Sequence, residues 1–140
     1  NKEGFELYPF SKTRPPEPEK YLIVFDADMN PFPDFVEYLV DLMEKNPKVA
    51  FVQTPQYYTN FEDNRVARAA GLQKVIFYEF ICEGKSQQGA MFCCGTNIIY
   101  RKEALNSVGG FDEQSVTEDF STSLKLHKAG WKSLYLNRVS

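Results

Sequence analysis

The sequence predicts an α/β domain built on a mainly parallel sheet with helices on its faces. Short apolar runs rich in β-branched and aromatic residues alternate with longer segments whose apolar residues recur every three or four positions. The short runs are continuous rather than alternating, which is typical of strands buried on both faces. Glycine, proline and asparagine mark most of the boundaries. This succession indicates a layered α/β architecture.

The first part of the chain contains two predicted strands and two predicted helices. Residues 1–19 hold four prolines among charges and are expected to form a loop or an extension. A strand over residues 21–25 is followed by a helix over residues 33–45, whose first turn contains proline. A second strand, residues 49–52, leads to a helix over about residues 60–82.

Apolar spacing predicts which face of the second helix is buried. Asn60 is its expected N-cap, with Asp63 in the first turn. The residues expected to face the core are Val66, Leu72, Val75, Ile76 and Phe80.

The second part of the chain continues the alternation. Residues 84–89 are polar and expected to be mobile. A third strand is predicted over residues 96–100 and a short helix over residues 101–107. A longer helix over residues 118–129 is closed by the glycine that follows it, and a last strand covers residues 132–136.

Composition excludes some classes of function. The net charge is −3, whereas affinity for a phosphate backbone needs clustered lysine and arginine, so nucleic acid is not an expected partner. The three cysteines contain no C-x-x-C pair, so a disulfide framework is not expected and a reducing compartment fits better. The chain starts with Asn1 rather than methionine, and we expect it to be a piece of a longer protein.

Two aspartates, Asp26 and Asp28, stand directly after the first predicted strand. Open parallel sheets bind their ligands at the carboxyl ends of the strands. Two carboxylates there can converge on a Mg²⁺ or Mn²⁺ ion that also binds a diphosphate. Alternatively, the two carboxylates only cap the next helix. The residues alone leave both interpretations open.

The same segment resembles part of an EF-hand calcium loop, because Asn30 and Glu37 fall at two further ligand positions. However, Pro31 occupies the sixth position, where such a loop needs glycine for its sharp turn. The segment before it is strand-like rather than helical, so we do not expect an EF-hand.

Three further residues, Thr117, Glu118 and Asp119, open the predicted helix over residues 118–129. A threonine N-cap and acidic residues in the first turn stabilise a helix without any chemical role. The functional alternative is that one of the carboxylates acts as a general base.

Small residues, Cys94, Gly95 and Thr96, lead into the third predicted strand. A glycine here would let the backbone approach a ligand closely, although a tight connecting loop would need one too. The adjacent Cys93 and Cys94 are expected to be small buried groups rather than a redox pair.

Taken in order, five segments resemble motifs of the processive family-2 glycosyltransferases, the cellulose synthase-like group. The motifs are D-x-D, Q-T-P, C-G-[ST], the pair G-G-F and T-E-D, and G-W. The matching segments are Val24-Phe25-Asp26-Ala27-Asp28, Val52-Gln53-Thr54-Pro55-Gln56, Cys94-Gly95-Thr96-Asn97, Gly109-Gly110-Phe111-Asp112 with Thr117-Glu118-Asp119, and Ala129-Gly130-Trp131. The resemblance extends over about residues 20–140.

The resemblance implies a Rossmann-like GT-A fold, a UDP-sugar donor such as UDP-glucose, a Mg²⁺ or Mn²⁺ ion, and inversion at the anomeric carbon. By position, Asp26 and Asp28 would hold the metal and the donor diphosphate. Asp119 would be the general base, with Glu118 beside it. The segment Cys94-Gly95-Thr96 would border the sugar of a growing polysaccharide or another glycan acceptor.

The resemblance also implies parts that this sequence does not include. The family's first nucleotide-binding half would precede Asn1, and its Q-x-x-R-W motif would follow Ser140. We therefore expect a central piece of a catalytic domain, inactive by itself, that segments outside this chain hold at the cytoplasmic face of a membrane. Two alternatives stay open: a non-processive transferase acting on a lipid or protein, and a binding domain that kept the fold without activity.

Overall fold

The computed structural model describes residues 19–57 and 65–138. In these residues one sheet contains the strands β1 (Tyr21–Val24), β2 (Val49–Gln53), β3 (Ile98–Arg101) and β4 (Lys132–Tyr135). Their spatial order is β1-β3-β2-β4. Each coincides with a strand predicted from the sequence. All five residues of β2 are buried, as expected of a strand covered on both faces.

Helices occupy both faces of this sheet. Those within the described residues are α1 (Phe35–Lys45), α2 (Arg65–Ile76), α3 (Glu83–Gln87), α4 (Lys102–Ser107) and α5 (Glu118–Lys128). A π-helical segment, Phe77–Cys82, joins α2 to α3 without a break. None of the helices in the described ranges combines the length and the apolar character needed to cross a membrane. The predicted start of α2, with Asn60 and Asp63, lies outside the described residues.

Most of the described strands point in the same direction, although most of the described strand pairings are antiparallel. β3 lies between β1 and β2 and is antiparallel to both, whereas β2 and β4 are parallel. Three of the four described strands therefore point the same way, as a mainly parallel sheet requires. Two of the three described pairings are nevertheless antiparallel. The reason is that the chain leaves β2 and enters β3 at one edge, where the Thr54 amide donates to the Asn97 carbonyl at 3.0 Å.

Two apolar clusters hold the helices against the sheet. On one face, the buried residues of α1 pack on β2 and β3; they are Phe35, Leu39 and Met43, which lie in one cluster with Val49, Val52 and Ile99. On the other face, the π-helical segment, α4 and α5 cover the sheet; the cluster includes Tyr78, Cys82, Ala104, Leu105, Leu126, Phe51, Ile98 and Tyr100. The sheet is thus the middle layer of three.

The prediction for the buried face of α2 is wrong. Val66 and Phe80 are 79% and 71% exposed, and Leu72 and Ile76 are exposed as well. The buried residues are instead Gly71 of α2 and Tyr78 and Cys82 of the π-helical segment that continues it. Aromatic contacts determine this orientation, since Tyr78 stacks on Tyr135 with 6.2 Å between ring centroids. The π-helical segment also shifts the register, which a repeat of 3.6 residues cannot anticipate.

The polar stretch after Cys82, expected to be mobile, is mostly helical. α3 occupies its first part, and the hydroxyl of Ser86 accepts a hydrogen bond from the Tyr135 amide at 2.8 Å. This contact ties the stretch to β4. The predicted end of α5 is confirmed: Gly130 has φ +89°, and the Trp131 amide donates to the Leu126 carbonyl at 3.1 Å, as in a Schellman motif.

Candidate functional site

A pocket of about 320 Å³ opens beside the end of β1. Its lining combines an apolar wall with two carboxyl groups; the residues are Val24, Gly95, Tyr100, Phe111, Glu118 and Asp119. They come from β1, from the turn before β3, from β3 itself, from the segment before α5 and from the first turn of α5. The pocket therefore unites residues from three of the five motif segments that the sequence singled out.

The apolar wall is held by the turn before α5. The rings of Tyr100 and Phe111 meet edge to face at 5.2 Å between centroids. Next to them, the amide of Asp112 donates to the Thr122 hydroxyl at 3.0 Å, and the Asp112 carboxylate pairs with Lys125 at 3.2 Å. Both contacts fasten the Gly-Gly-Phe-Asp segment to α5, so the Phe111 ring has a fixed position.

Asp119 is placed by the start of α5. Thr117 occupies the N-cap position, as predicted, but its side chain makes no capping hydrogen bond. One carboxylate oxygen of Asp119 instead accepts from the Phe120 amide at 2.6 Å. Asp119 is half-buried and Glu118 is exposed. The start of the helix thus orients the Asp119 side chain.

The turn formed by Cys94, Gly95 and Thr96 touches this carboxylate. Gly95 has φ +80°, and a Cβ built on it would lie 3.4 Å from Oδ2 of Asp119. The backbone therefore runs closely past Asp119. The sequence interpretation expected Gly95 to let the backbone approach a ligand. The close approach that the structure shows is to the Asp119 carboxylate, and the approach to a ligand stays a prediction. The third strand begins only at Ile98, so these residues form a turn outside the sheet.

The same turn contacts the aspartate pair after β1. The Thr96 hydroxyl accepts a hydrogen bond from the Asp26 amide at 2.8 Å. Asp26 and Asp28 lie in a turn closed by a 3.0 Å hydrogen bond from the Met29 amide to the Asp26 carbonyl. Both aspartates are exposed. The backbone of Asp26 is thus bonded to Thr96, the neighbour of the lining residue Gly95, whereas neither Asp26 nor Asp28 lines the pocket.

Gln53 is a buried residue beside the site that the sequence analysis did not single out. It falls in the Q-T-P segment, where the sequence gave it no role, and it is fully buried at the end of β2. Its Nε2 donates to the Thr96 carbonyl at 2.8 Å, and its Oε1 accepts from the Cys94 amide at 2.9 Å. A long polar residue that ends an otherwise apolar strand was the available signal, because a buried amide requires hydrogen-bond partners.

Burial keeps the groups behind the pocket protonated. It raises the pKa of the Cys93 thiol to about 12, and the Asp119 charge adds to this effect. Burial is also the main cause that raises the pKa of the Tyr100 hydroxyl. The pKa of Cys94 is raised by a hydrogen bond with Cys82 and then by burial. All three cysteines are free thiols, as expected.

The aspartate pair fits a small, hard divalent cation. Within residues 19–57 and 65–138, no group of three or more potential ligand side chains surrounds a common point. Mg²⁺ is nevertheless commonly held by one or two carboxylates, with water and substrate phosphate oxygens as its other ligands. Two exposed carboxylates at a strand end suit that arrangement. They do not suit a structural ion enclosed by protein ligands.

Comparison with known proteins identifies the family. Residues 21–139 match the sequence profile of the family described as glycosyl transferase family group 2. The chain belongs to this family. Its GT-A-type α/β fold, expected from the sequence, accords with this membership and with the sheet flanked by helices.

Similar proteins include cellulose synthases. The chain is 38% identical over 122 residues to a UDP-forming cellulose synthase catalytic polypeptide of Dictyostelium discoideum, an alignment covering 86% of this chain and 11% of that protein. It is 35% identical to the corresponding UDP-forming cellulose synthase polypeptide of Pseudomonas fluorescens, covering 84% of the chain and 16% of that protein. It is 33% identical to "Cellulose synthase 1" of Komagataeibacter xylinus, an alignment covering 83% of this chain and 8% of that protein. The chain thus spans only a small part of these relatives.

Replacing Gly95 by alanine tests the close approach. Gly95→Ala should lower the free energy of unfolding by about 1–2 kcal/mol, because an L side chain is strained in the left-handed region. Its Cβ would also lie at 3.4 Å from the Asp119 carboxylate. Urea unfolding followed by the fluorescence of Trp131 measures the change.

Gly84→Ala is the matched control. A Cβ at this position in α3 has nothing within 4 Å, and alanine favours a helix over glycine by about 0.5–1 kcal/mol. This variant should be as stable as the natural protein or more so. Equal destabilisation by the two substitutions would contradict the geometry described for Gly95.

Proposed function

We propose that this chain is part of a glycosyltransferase that transfers a hexose from a UDP-sugar to a growing polysaccharide, with inversion at the anomeric carbon. One observation carries the proposal. A half-buried carboxylate, Asp119, faces an apolar-walled pocket, and a single turn connects this pocket to the aspartate pair Asp26 and Asp28. Sugar transfer needs a base for the acceptor and a charge-neutralising site for the leaving diphosphate.

On the donor side, Asp26 and Asp28 would hold a Mg²⁺ or Mn²⁺ ion together with the diphosphate of the UDP-sugar. Such an ion, when bound, neutralises charge on the leaving group and stabilises its departure by several kcal/mol. The aspartates themselves orient the ion relative to the strand end. The Thr96 hydroxyl, which holds the Asp26 amide at 2.8 Å, fixes the backbone from which the first carboxylate extends.

On the acceptor side, Asp119 would take the proton from the attacking hydroxyl as its bond to the anomeric carbon forms. A positioned base contributes about 10²–10⁴-fold to such a step. The rings of Tyr100 and Phe111 form an apolar wall that excludes water and gives a sugar ring a surface to pack on. Cys94, Gly95 and Thr96 would border the acceptor, with the Glu118 carboxylate at the rim.

An inverting transfer is a single displacement, so the base and the leaving group act on opposite sides of the anomeric carbon. Separate sites for the base and for the diphosphate suit that requirement. Here Asp119 belongs to α5 and the aspartate pair follows β1. The family relatives named as cellulose synthases favour a polysaccharide acceptor over a lipid or a protein. The presence of all three carboxylates favours an enzyme over a binding domain that lost activity.

The setting of the reaction is part of the proposal. The length of the relatives described above, of which the chain spans 8% to 16%, supports a larger protein. We place the reaction at the cytoplasmic face of a membrane, where segments outside this chain would anchor it. The free thiols suit a reducing compartment.

Exchanging Asp119 for asparagine tests the base. Asp119→Asn keeps an oxygen that can accept from the Phe120 amide, so the loss of stability should be at most about 1 kcal/mol. Transfer by the intact natural protein should nevertheless fall about 10²-fold or more, because an amide cannot accept the hydroxyl proton. Steady-state transfer from UDP-sugar, with UDP binding measured in parallel, checks this.

Glu118→Gln is the control for this experiment. It removes a neighbouring carboxylate at the same helix end, so any loss due only to the helix dipole should be the same in both variants. We expect Glu118→Gln to keep most of the activity. Transfer by Asp119→Asn at close to the natural rate would remove the base assignment.

The aspartate pair is tested by metal binding. Titration calorimetry should show weak Mn²⁺ binding that becomes tighter when UDP is present, since the diphosphate supplies further oxygen ligands. Asp28→Asn should weaken this binding. Asp41→Asn should not, because Asp41 is an exposed carboxylate that pairs with Lys45 on α1. If both variants bind Mn²⁺ as the natural protein does, the metal site lies elsewhere.

A further inference from the structure

We propose that Gln53 is a positioning residue for the transfer reaction. Its buried carboxamide holds the turn of Cys94, Gly95 and Thr96 in the conformation that brings Asp119 and Asp26 into one site. This inference rests on the proposed function, because it concerns the geometry of that same site. Gln53 itself lines no part of the pocket and acts through the turn.

The contacts of the carboxamide are numerous and short. Nε2 donates to the carbonyl of Thr96 at 2.8 Å and to that of Thr54 at 2.9 Å. Oε1 accepts from the amide of Cys94 at 2.9 Å. Donor and acceptor thus engage residues on both sides of Gly95. Because Gln53 is fully buried, no water replaces these bonds if they are lost.

A side chain holds the turn because the backbone hydrogen bonds between β2 and β3 end before the turn is reached. The pairing of β2 with β3 ends at Gln53 and Ile98. Beyond it, the Thr54 amide and hydroxyl both donate to the Asn97 carbonyl, at 3.0 and 2.9 Å. Gly95, at φ +80°, then turns the chain out of strand geometry. The carboxamide, with one donor group and one acceptor, replaces the peptide group that a longer strand would have offered.

The turn of Cys94, Gly95 and Thr96 contacts both the proposed donor side and the proposed acceptor side of the site. On the donor side, the Thr96 hydroxyl accepts from the Asp26 amide at 2.8 Å. On the acceptor side, Gly95 passes within van der Waals distance of the Asp119 carboxylate. A second contact connects the residue before the turn to α5. Ser123 Oγ accepts a hydrogen bond from the Cys93 amide at 2.7 Å and donates one to the Asp119 carbonyl at 2.8 Å.

Loss of the carboxamide should therefore disturb the reaction more than the fold. The unpaired Cys94 amide and Thr96 carbonyl would have to seek other partners, because unsatisfied buried polar groups are costly. The turn would shift, and Asp26 and Asp119 would move relative to each other. A misplacement of about 1 Å by a residue away from the chemistry can reduce the rate about 10²-fold.

The test compares Gln53→Met with Thr54→Val in the intact natural protein. Methionine has nearly the length of glutamine but cannot hold the turn. Thr54→Val removes a buried hydrogen bond from the adjacent residue to Asn97, whose carbonyl keeps its bond to the Thr54 amide. Both variants lose packing or hydrogen bonding at the same strand end. Only Gln53→Met removes the hydrogen bonds to Cys94 and Thr96, the two residues that flank Gly95.

We expect kcat to fall at least about tenfold in Gln53→Met at a temperature where the variant is fully folded. The KM for the donor should change much less, since both aspartate side chains remain. Thr54→Val should keep a near-natural kcat with a similar drop in melting temperature. Equal kcat values for the two variants, per folded molecule, would overturn the positioning role and leave Gln53 as a structural residue.

Gln53→Glu provides a second measurement if the methionine variant does not fold. A buried glutamate has a raised pKa because burial disfavours its charge. Below that pKa, the neutral carboxylic acid can donate its one proton to the Thr96 carbonyl and accept from the Cys94 amide, so it keeps both bonds to the turn and loses only the bond to the Thr54 carbonyl. The kcat of Gln53→Glu relative to the natural protein should therefore rise towards one as the pH is lowered. A kcat reduced by the same factor at every pH would contradict the inference.

Different results would contradict the proposed function and the positioning role of Gln53. If the intact natural protein transfers no sugar from a UDP-sugar, the proposed function is wrong, and if Asp119→Asn transfers sugar at close to the natural rate, its base assignment is wrong, whatever the Gln53 variants do. If Asp119→Asn is inactive while Gln53→Met keeps a natural kcat and Gln53→Glu shows no pH effect, the proposed function stands and only the positioning role fails.

Discussion

The hydrogen bonds between the Gln53 carboxamide and the turn at Gly95 are the constraint on which the site depends. The turn lies outside the sheet, so its conformation is not set by the strand ladder. Gln53 supplies both a donor at 2.8 Å and an acceptor at 2.9 Å to residues flanking the glycine. Through Thr96 and Gly95, this arrangement determines where the Asp26 backbone and the Asp119 carboxylate lie relative to each other.

The layered core supports that constraint. Gln53 can be placed accurately because β2 is buried along its whole length between α1 and the helices of the opposite face. α5 is fixed in the same core by Leu126, and its far end is closed by Gly130. Asp119 therefore lies at the start of a helix that cannot move independently of the sheet. Close packing in the core thus fixes the geometry of an exposed site.

Much of this arrangement is predictable from the sequence. Continuous apolar runs predicted the strands, because burial on both faces removes the polar alternation, and Gly130 predicted the end of α5. The resemblance implied roles in one site for Asp119, Glu118 and the segment Cys94-Gly95-Thr96, and of these Gly95, Glu118 and Asp119 line one pocket. For both Asp26 and Asp28 the metal role stays a prediction.

Other features depend on contacts between distant segments, which no local pattern records. The reversed direction of β3 follows from the chain returning to the edge where it left β2. The exposed face of α2 follows from Tyr78 packing on Tyr135 across the fold. Gln53 was overlooked for the same reason, because its partners lie 41 and 43 residues further along the chain. Sequence motifs indicated the residues proposed to carry the chemistry, but not the residue proposed to hold them in place.

The most direct test of the central claim is a crystal structure of the protein with UDP and Mn²⁺, in which anomalous scattering locates the metal. The account predicts Mn²⁺ bound by the carboxylates of Asp26 and Asp28. It also predicts that the Asp119 pocket opens beside the diphosphate, with the Gln53 bonds to Cys94 and Thr96 intact. Mn²⁺ and UDP bound away from the end of β1, or a turn that binds them only after releasing Gln53, would contradict it.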